Sequence, residues 1–367
     1  MKYTYTLALL LLHVSWTLAQ NQPLKLGIAG LSHTHVHWIL GYNKNDVTLV
    51  GIVESDSILV QKYADQYGFS REIVYGSLED LYANVEVEAI AAFGTIFDHL
   101  EVVEKSAPRG IDVMVEKPLA VSNEHANRMA ELAEKYNIPL ITNYETTWYP
   151  TNHKAKELLD AEAIGDLQKI IVSDGHRGPK KIGVNKEFLD WLTDPVLNGG
   201  GALFDFGCYG ANLATWLQKG KRPISVTAIT QQLQPGNNPK VDDECIIILE
   251  YENSNAVLQP SWNWPMGRKD MEIYGLTGAL YVDNKRDLRI RMAEGYDGFT
   301  EEKMTLSDLQ TPYDNPFSYF AYLIRGDLEM QPYDLSSIEN NLIVVEILEA
   351  ARKSAIEKKT IYLTKDR

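Results

Sequence analysis

Cysteine is nearly missing from this chain: two residues, Cys208 and Cys245, in 367. Two thiols make no disulfide framework, so a buried apolar core has to hold the fold. Basic residues are also short. Thirty-five Lys and Arg stand against fifty Asp and Glu, a formal net charge of −15. Nucleic-acid binding needs cationic side chains for the phosphates, so no nucleic-acid partner is expected. Long apolar runs are lacking too. Residues 7–12 form one, but it is far shorter than a membrane span. With Lys2 before it and Thr17-Leu18-Ala19 after it, it reads as a Sec-type signal peptide over residues 1–20. No cysteine follows to carry a lipid and no twin arginine is present. The expectation is an exported protein, periplasmic or secreted, with no membrane anchor.

What is present is ordinary globular sequence, 45% hydrophobic and 23% charged, long enough for two domains. From residue 24 to 144, short apolar runs alternate with amphipathic stretches. Strands are expected at 24–29, 47–53, 87–93, 112–115 and 139–144, and a helix at 123–136 with Ser122 as its N-cap. This alternation predicts an α/β domain, a doubly wound parallel sheet of Rossmann type, over residues 21–145. The rest, 146–367, predicts an α+β domain with a mainly antiparallel open sheet. Its elements are helices at 152–163 and 202–217, strands from 225 to 291, and two final helices. Between them, residues 174–200 read as a long polar connection, a length at which loops are often functional.

The turn after the first strand reads Gly27-Ile28-Ala29-Gly30-Leu31-Ser32-His33-Thr34-His35. Gly30 suits the first glycine of a dinucleotide fingerprint, but Ser32 and His35 occupy the places of the second and third. Glu54 directly follows the second strand, where a carboxylate accepts ribose hydroxyls and repels a 2′-phosphate. NAD is therefore favoured over NADP. His33, His35 and His37 alternate, but on a helix His35 would point away from the other two, and no acid cluster accompanies them. No metal site is assigned.

Two further motifs follow. Glu116-Lys117-Pro118 ends a strand, and Gly199-Gly200-Gly201-Ala202-Leu203-Phe204-Asp205-Phe206-Gly207-Cys208-Tyr209 opens a helix. Together with His99 they resemble the glucose–fructose oxidoreductase / inositol dehydrogenase family, Gfo/Idh/MocA, over the whole chain after the signal peptide. The resemblance implies an active site between the domains and an open sheet used for homo-dimer or homo-tetramer contacts. It gives Lys117 a catalytic role and Asp205 the positioning of substrate. Most members carry His where this chain has Tyr209, and some carry Tyr.

A phenol there is expected to handle the hydroxyl proton, with Lys117 lowering its pKa and Asp205 on the same helix face. The expected cofactor contacts are Gly27, Gly30, Ser32, His33, Thr34, Glu54, Thr95, His99, Glu116 and Lys117. Trp148, His176, Arg177 and Trp191 are the substrate candidates, with Trp262 and Trp264 as further stacking faces. The expected activity is NAD(H)-dependent oxidation or reduction at a hydroxyl or ketone of a sugar, glycoside or cyclitol. The alternatives are an NAD-dependent glycosidase working by transient oxidation and elimination, and a non-catalytic sugar-binding protein on the same fold.

Overall fold

The computed structural model describes residues 22–363, so the expected signal peptide lies outside the described residues. The first sheet has six parallel strands: β1 (Leu24–Ala29), β2 (Val47–Val53), β3 (Val74–Tyr75), β4 (Ala89–Ala92), β5 (Asp112–Glu116) and β6 (Leu140–Asn143). Their order is β3-β2-β1-β4-β5-β6, the doubly wound arrangement in which strand order reverses beside β1. Leu24, Leu26 and Ile28 of β1 are fully buried, as expected for a strand covered on both faces. The helix Asn123–Tyr136 starts where Ser122 accepts a hydrogen bond from the His125 N–H at 3.2 Å. It ends on Asn137 in the left-handed region, φ 51°.

The second sheet has nine strands, in the order β14-β13-β12-β11-β7-β10-β9-β8-β15. In chain order these are β7 (Leu167–Gly175), β8 (Ser225–Gln231), β9 (Glu244–Glu250), β10 (Asn255–Ser261), β11 (Arg268–Gly275), β12 (Gly278–Val282), β13 (Asp287–Glu294), β14 (Gly298–Thr305) and β15 (Ile361–Tyr362). Every pairing is antiparallel except β7 with β10. The helix Gly207–Leu217, buried along its whole length, packs between this sheet and the helix Ile338–Glu357.

Three local expectations are corrected. The helix expected over 202–217 is broken at Phe206 into Ala202–Asp205 and Gly207–Leu217. The expected polar connection holds two short helices, Pro179–Ile182 and Lys186–Leu192. The helix Pro316–Arg325 does not serve the second domain. Phe317, Phe320 and Ala321 join the core beneath β1 and β2, and Ser318 donates to Asp46 at 2.5 Å. Arg325 clamps Glu88 with two hydrogen bonds of 2.6 and 2.9 Å.

Candidate active site

The strand ends of the first sheet meet one face of the second domain, and the expected functional residues gather there. The turn after β1 is tight. Gly30 has φ +87°, and a Cβ on it would sit 2.6 Å from the backbone nitrogen of Gly94, after β4. Glu54 ties the same turn down, accepting from the Leu31 N–H at 3.0 Å and the Asp56 N–H at 2.9 Å. A cavity of about 220 Å³ opens beside Gly30, Val53, Ser77, Gly94, Thr95 and His99. Thr95 donates to Asp98 at 2.7 Å. His99 directs Nδ1 at the Leu119 carbonyl, 3.1 Å away. Burial pulls its pKa down to about 4, and its Nε2 has no partner among the described residues.

The Thr34 hydroxyl is likewise buried and unpartnered. A tight glycine turn, a cavity at the strand ends and two orphaned polar atoms fit a dinucleotide laid along this edge. Gly27 is corrected. It lies within β1 against Leu81 and Ile90, a packing position away from the cofactor edge. Ser32 is half-buried in the turn and lines neither of the cavities described here.

The histidines do not behave as residues of one helix. The helix begins only at Val36, so residues 33–35 form a turn. The His33 and His35 rings lie edge to face, with centroids 4.7 Å apart, and β5 supplies the acid the sequence hid. Glu116 Oε2 is 2.9 Å from His35 Nδ1 and 4.0 Å from His33 Nε2, while Asn143 donates to its Oε1 at 2.7 Å. Burial alone would raise the Glu116 pKa. The imidazoles and these hydrogen bonds outweigh it and hold the carboxyl at about 2. His37 stands apart, bonded to Tyr67.

His33, His35 and Glu116 hold donor atoms within 4.8 Å of one another. The bonding is nonetheless that of a hydrogen-bonded cluster. His33 Nδ1 accepts from the His35 N–H at 3.1 Å, which puts its hydrogen on Nε2, the atom it would have to give to an ion. Metal-bound imidazoles instead donate their second N–H.

Deeper in, Lys117 Nζ donates to Asp205 Oδ1 at 2.5 Å and to the Asp205 carbonyl at 3.0 Å. Trp262, fully buried, donates to Asp205 Oδ2 at 3.0 Å. Burial opposes charge on both partners, yet each keeps the other ionised: Lys117 is pushed up and Asp205 down. Asp205 therefore grips Lys117 and caps no helix.

Tyr209 lies beside this pair in a different helix from Asp205. Its ring faces the ammonium groups of Lys117 and Lys269, 5.1 and 4.8 Å from the centroid. The expected lowering of its pKa does not occur. Burial, with Glu145 adding, pushes the phenol well up, and the Lys117 charge is already spent on Asp205. Tyr209 is a neutral hydrogen-bond donor.

These groups border a cavity of about 700 Å³ whose walls also include His33, His35, His176 and Phe188. Two residues missed from the sequence belong to it. Glu145 accepts from Tyr149 at 2.5 Å and from Lys269 of β11, and its pKa is held at about 2 against burial by the Lys269 charge. Glu145 begins the 145–148 turn, which also holds Trp148. Lys269 sits in Arg268-Lys269-Asp270, which reads as a solvated strand edge and carries no signal.

Of the substrate candidates, His176 lines the cavity. Trp191 lies behind it, 5.6 Å from the His33 ring. Arg177 is exposed and off the wall. Trp148 faces a different cavity, of about 560 Å³, with Trp216 and Tyr319. Its indole N–H supports Asn143 at 3.0 Å. Trp264 packs under Arg268, and Trp262 serves Asp205; neither offers a free face.

The helix Lys186–Leu192 crosses from the second domain onto the first. Glu187 accepts from Lys62 at 2.6 Å and from Tyr63 at 3.1 Å, and the Phe188 and His33 rings pack edge to face with centroids 5.0 Å apart. It forms a strap over the dinucleotide turn.

A doubly wound sheet with a dinucleotide turn, facing a buried Lys–Asp pair and a phenol, defines an NAD-binding oxidoreductase of the CH–OH type. Residues 24–144 match the oxidoreductase family with NAD-binding Rossmann fold, and residues 152–281 match the GFO/IDH/MocA C-terminal domain. The chain belongs to the Gfo/Idh/MocA oxidoreductase family. It is 28% identical to a trans-1,2-dihydrobenzene-1,2-diol dehydrogenase of Xenopus tropicalis over 240 residues, 65% of this chain and 67% of that one. It is 21% identical to the inositol 2-dehydrogenase of Rhizobium meliloti (strain 1021), over 92% of this chain and 97% of the other. An aldose-aldose oxidoreductase from Caulobacter crescentus, solved with glycerol, superposes with a TM-score of 0.75 at 20% identity. The match covers 93% of this chain and all of that one.

Proposed function

We propose that this enzyme oxidises a ring hydroxyl of a sugar, glycoside or cyclitol to the ketone, or runs the reverse reduction, in an exported compartment. The observation that carries the reading is the pairing of a held ammonium, Lys117, with a neutral phenol, Tyr209, on one cavity wall. Both are donors, and together they suit an oxygen that carries negative charge once its proton has left or, in reduction, as its carbon receives hydride. Bound NAD supplies the hydride acceptor. Asp205 keeps Lys117 charged and in place. Lys269, His176 and Asp270 along the wall offer partners for further hydroxyls, as a polyol needs. The relative named for inositol supports that substrate class. A homo-oligomer is part of the proposal. Ile229 and Ile246 are directly opposite on β8 and β9, and with Ile248 they leave an apolar patch exposed on the sheet.

An exported enzyme meets little free NAD, so we expect it to retain its cofactor, with the strap as the retaining element. The test is to denature purified protein, assay the supernatant for NAD(H), and scan glycosides for absorbance at the reduced nicotinamide band. Bound nucleotide reduced by one class of sugar bears the reading out. Protein that neither carries nor binds NAD sinks it. Glu187→Ala removes the strap's anchor on Lys62 and Tyr63. Because Lys62 is part-exposed, the effect is moderate: NAD dissociation, followed by stopped-flow fluorescence, should speed up roughly three- to tenfold. An unchanged rate would detach the strap from cofactor retention.

A further inference from the structure

The cavity of about 560 Å³ on which Trp148 faces holds neither the cofactor turn nor the Lys117–Asp205 pair. Its volume is ordinary for a small-molecule site. Four aromatic rings stand on its wall: Trp148, Trp216, Tyr313 and Tyr319. The Trp148 and Tyr319 centroids are 5.5 Å apart, and those of Tyr313 and Tyr319 6.0 Å.

Polar groups converge on the same space. Ser336 and Thr147 line it, both are buried, and neither hydroxyl has a partner among the described residues. Buried polar atoms are nearly always hydrogen-bonded, so two orphans on one cavity call for an explanation. Their backbones are tied down. The Ser336 carbonyl accepts from the Thr142 N–H of β6 at 3.0 Å, and the Thr147 N–H donates to the Tyr144 carbonyl at 3.2 Å. Asp334 is also on the wall. Its Oδ2 accepts from the Gln331 N–H at 2.8 Å, and its Oδ1 has no partner among the described residues. His153 donates through Nε2 to the Thr147 carbonyl at 2.8 Å, and burial lowers its pKa, which keeps it neutral.

These walls select by exclusion. No Lys or Arg lines the cavity. Lys156 lies over the Trp216 ring but is paired with Asp160, and Lys44 reaches Thr311 but is paired with Asp314. A phosphate or carboxylate would therefore meet no free cation. A wholly apolar ligand would leave Ser336, Thr147 and Asp334 without partners. A molecule with an apolar face and a rim of hydroxyls satisfies both halves of the wall.

We propose that this cavity is a second, non-catalytic binding site for an uncharged pyranose ring, stacked on the aromatic wall with its hydroxyls on Ser336, Thr147 and Asp334. The proposal is independent of the reaction assigned to the larger cavity. Trp148 nevertheless adjoins both. Its N–H goes to Asn143, which donates to Glu116 in the histidine cluster.

Fluorotryptophan labelling gives each indole its own ¹⁹F signal, assigned by single Trp→Phe variants. Trp216 reports on this cavity, Trp191 beside His33 on the active site, and Trp148 on either. Titration with methyl β-D-glucopyranoside should shift the Trp216 signal saturably, with a Kd of about 1–10 mM. Glucose 6-phosphate should leave it in place. The double variant Thr147→Val with Ser336→Ala removes both hydroxyls at nearly constant shape. Since neither is bonded in the folded chain, urea unfolding should show stability equal to or above that of the native protein. The Trp216 response should weaken about tenfold, and any Trp191 response should keep its midpoint. Lost stability in this variant would assign the hydroxyls to folding and overturn the proposal. So would a silent Trp216, or a Trp216 response that shares the Trp191 midpoint and survives the double variant, since the active site alone would then be filled. A Trp216 signal that follows protein concentration and not sugar overturns it too, giving the cavity to a second copy of the chain. Protein that shifts Trp216 yet reduces no nicotinamide with any glycoside would keep this site and lose the proposed reaction.

Discussion

Lys117→Met should abolish turnover and weaken the fold together. Lys117 and Asp205 are a buried, hydrogen-bonded ion pair. Removing one member strands the other charge in a low-dielectric interior, which typically lowers stability by about 3–5 kcal/mol. The same change deletes the ammonium facing the reacting oxygen, so single-turnover nicotinamide reduction should fall at least about 10³-fold. The double variant Lys117→Met with Asp205→Asn separates the two effects. Neither side chain is then charged, and the asparagine carbonyl still accepts from Trp262. Urea unfolding should show most of the lost stability regained, while activity stays absent. A single variant as stable as the native chain, or one retaining a tenth of its rate, would remove the pair from the centre of this account.

Gly30→Ala should act on the cofactor by way of the backbone. The residue has φ +87°, and the added carbon would meet Gly94 N and Cα at 2.6 and 2.7 Å, atoms that cannot rotate aside. The left-handed conformation alone costs about 1–2 kcal/mol, and the clash must separate β1 from β4 as well. NAD affinity should fall at least about a hundredfold, since the turn that approaches the diphosphate is what moves. Gly68→Ala is the control. Its φ is +73°, but nothing lies within 4 Å of the added carbon. That variant should lose about 1 kcal/mol in thermal or urea unfolding and bind NAD normally. Equal NAD affinity in the two alanine variants would mean that the Gly30 turn does not touch the cofactor.

Much of the frame was legible in the sequence because it depends on local rules. β1 and β2 fall at 24–29 and 47–53, since buried parallel strands are short unbroken apolar runs. The helix Asn123–Tyr136 carries its own cap. Lys117 and Asp205 were marked by motif and do meet.

What escaped depends on distance along the chain. No pattern near His35 announces Glu116, which arrives from β5, past β4 in the sheet order. The tautomers of His33 and His176 are set by single backbone N–H groups that only the folded turn presents. The high pKa of Tyr209 reflects burial, which a phenol four positions from an acid does not reveal. β14 carries no strand signal in the sequence because its residues are exposed, so it lacks the apolar alternation that identifies a half-buried strand.

The helix Pro316–Arg325 carries a consequence for biogenesis. It completes the core of the cofactor domain beneath β1 and β2, yet it is encoded after all but one strand of the second sheet. Until that helix has been synthesised, the apolar floor under β1 and β2, with Phe317 and Phe320 missing, faces water. A nascent chain cannot complete its dinucleotide fold first and append the second domain later. The two must close together after nearly the full length is available. For the exported protein we propose, such late closing keeps the chain unfolded longest where an unfolded chain is required, at a translocation pore that passes extended polypeptide, and leaves nucleotide capture to the far side.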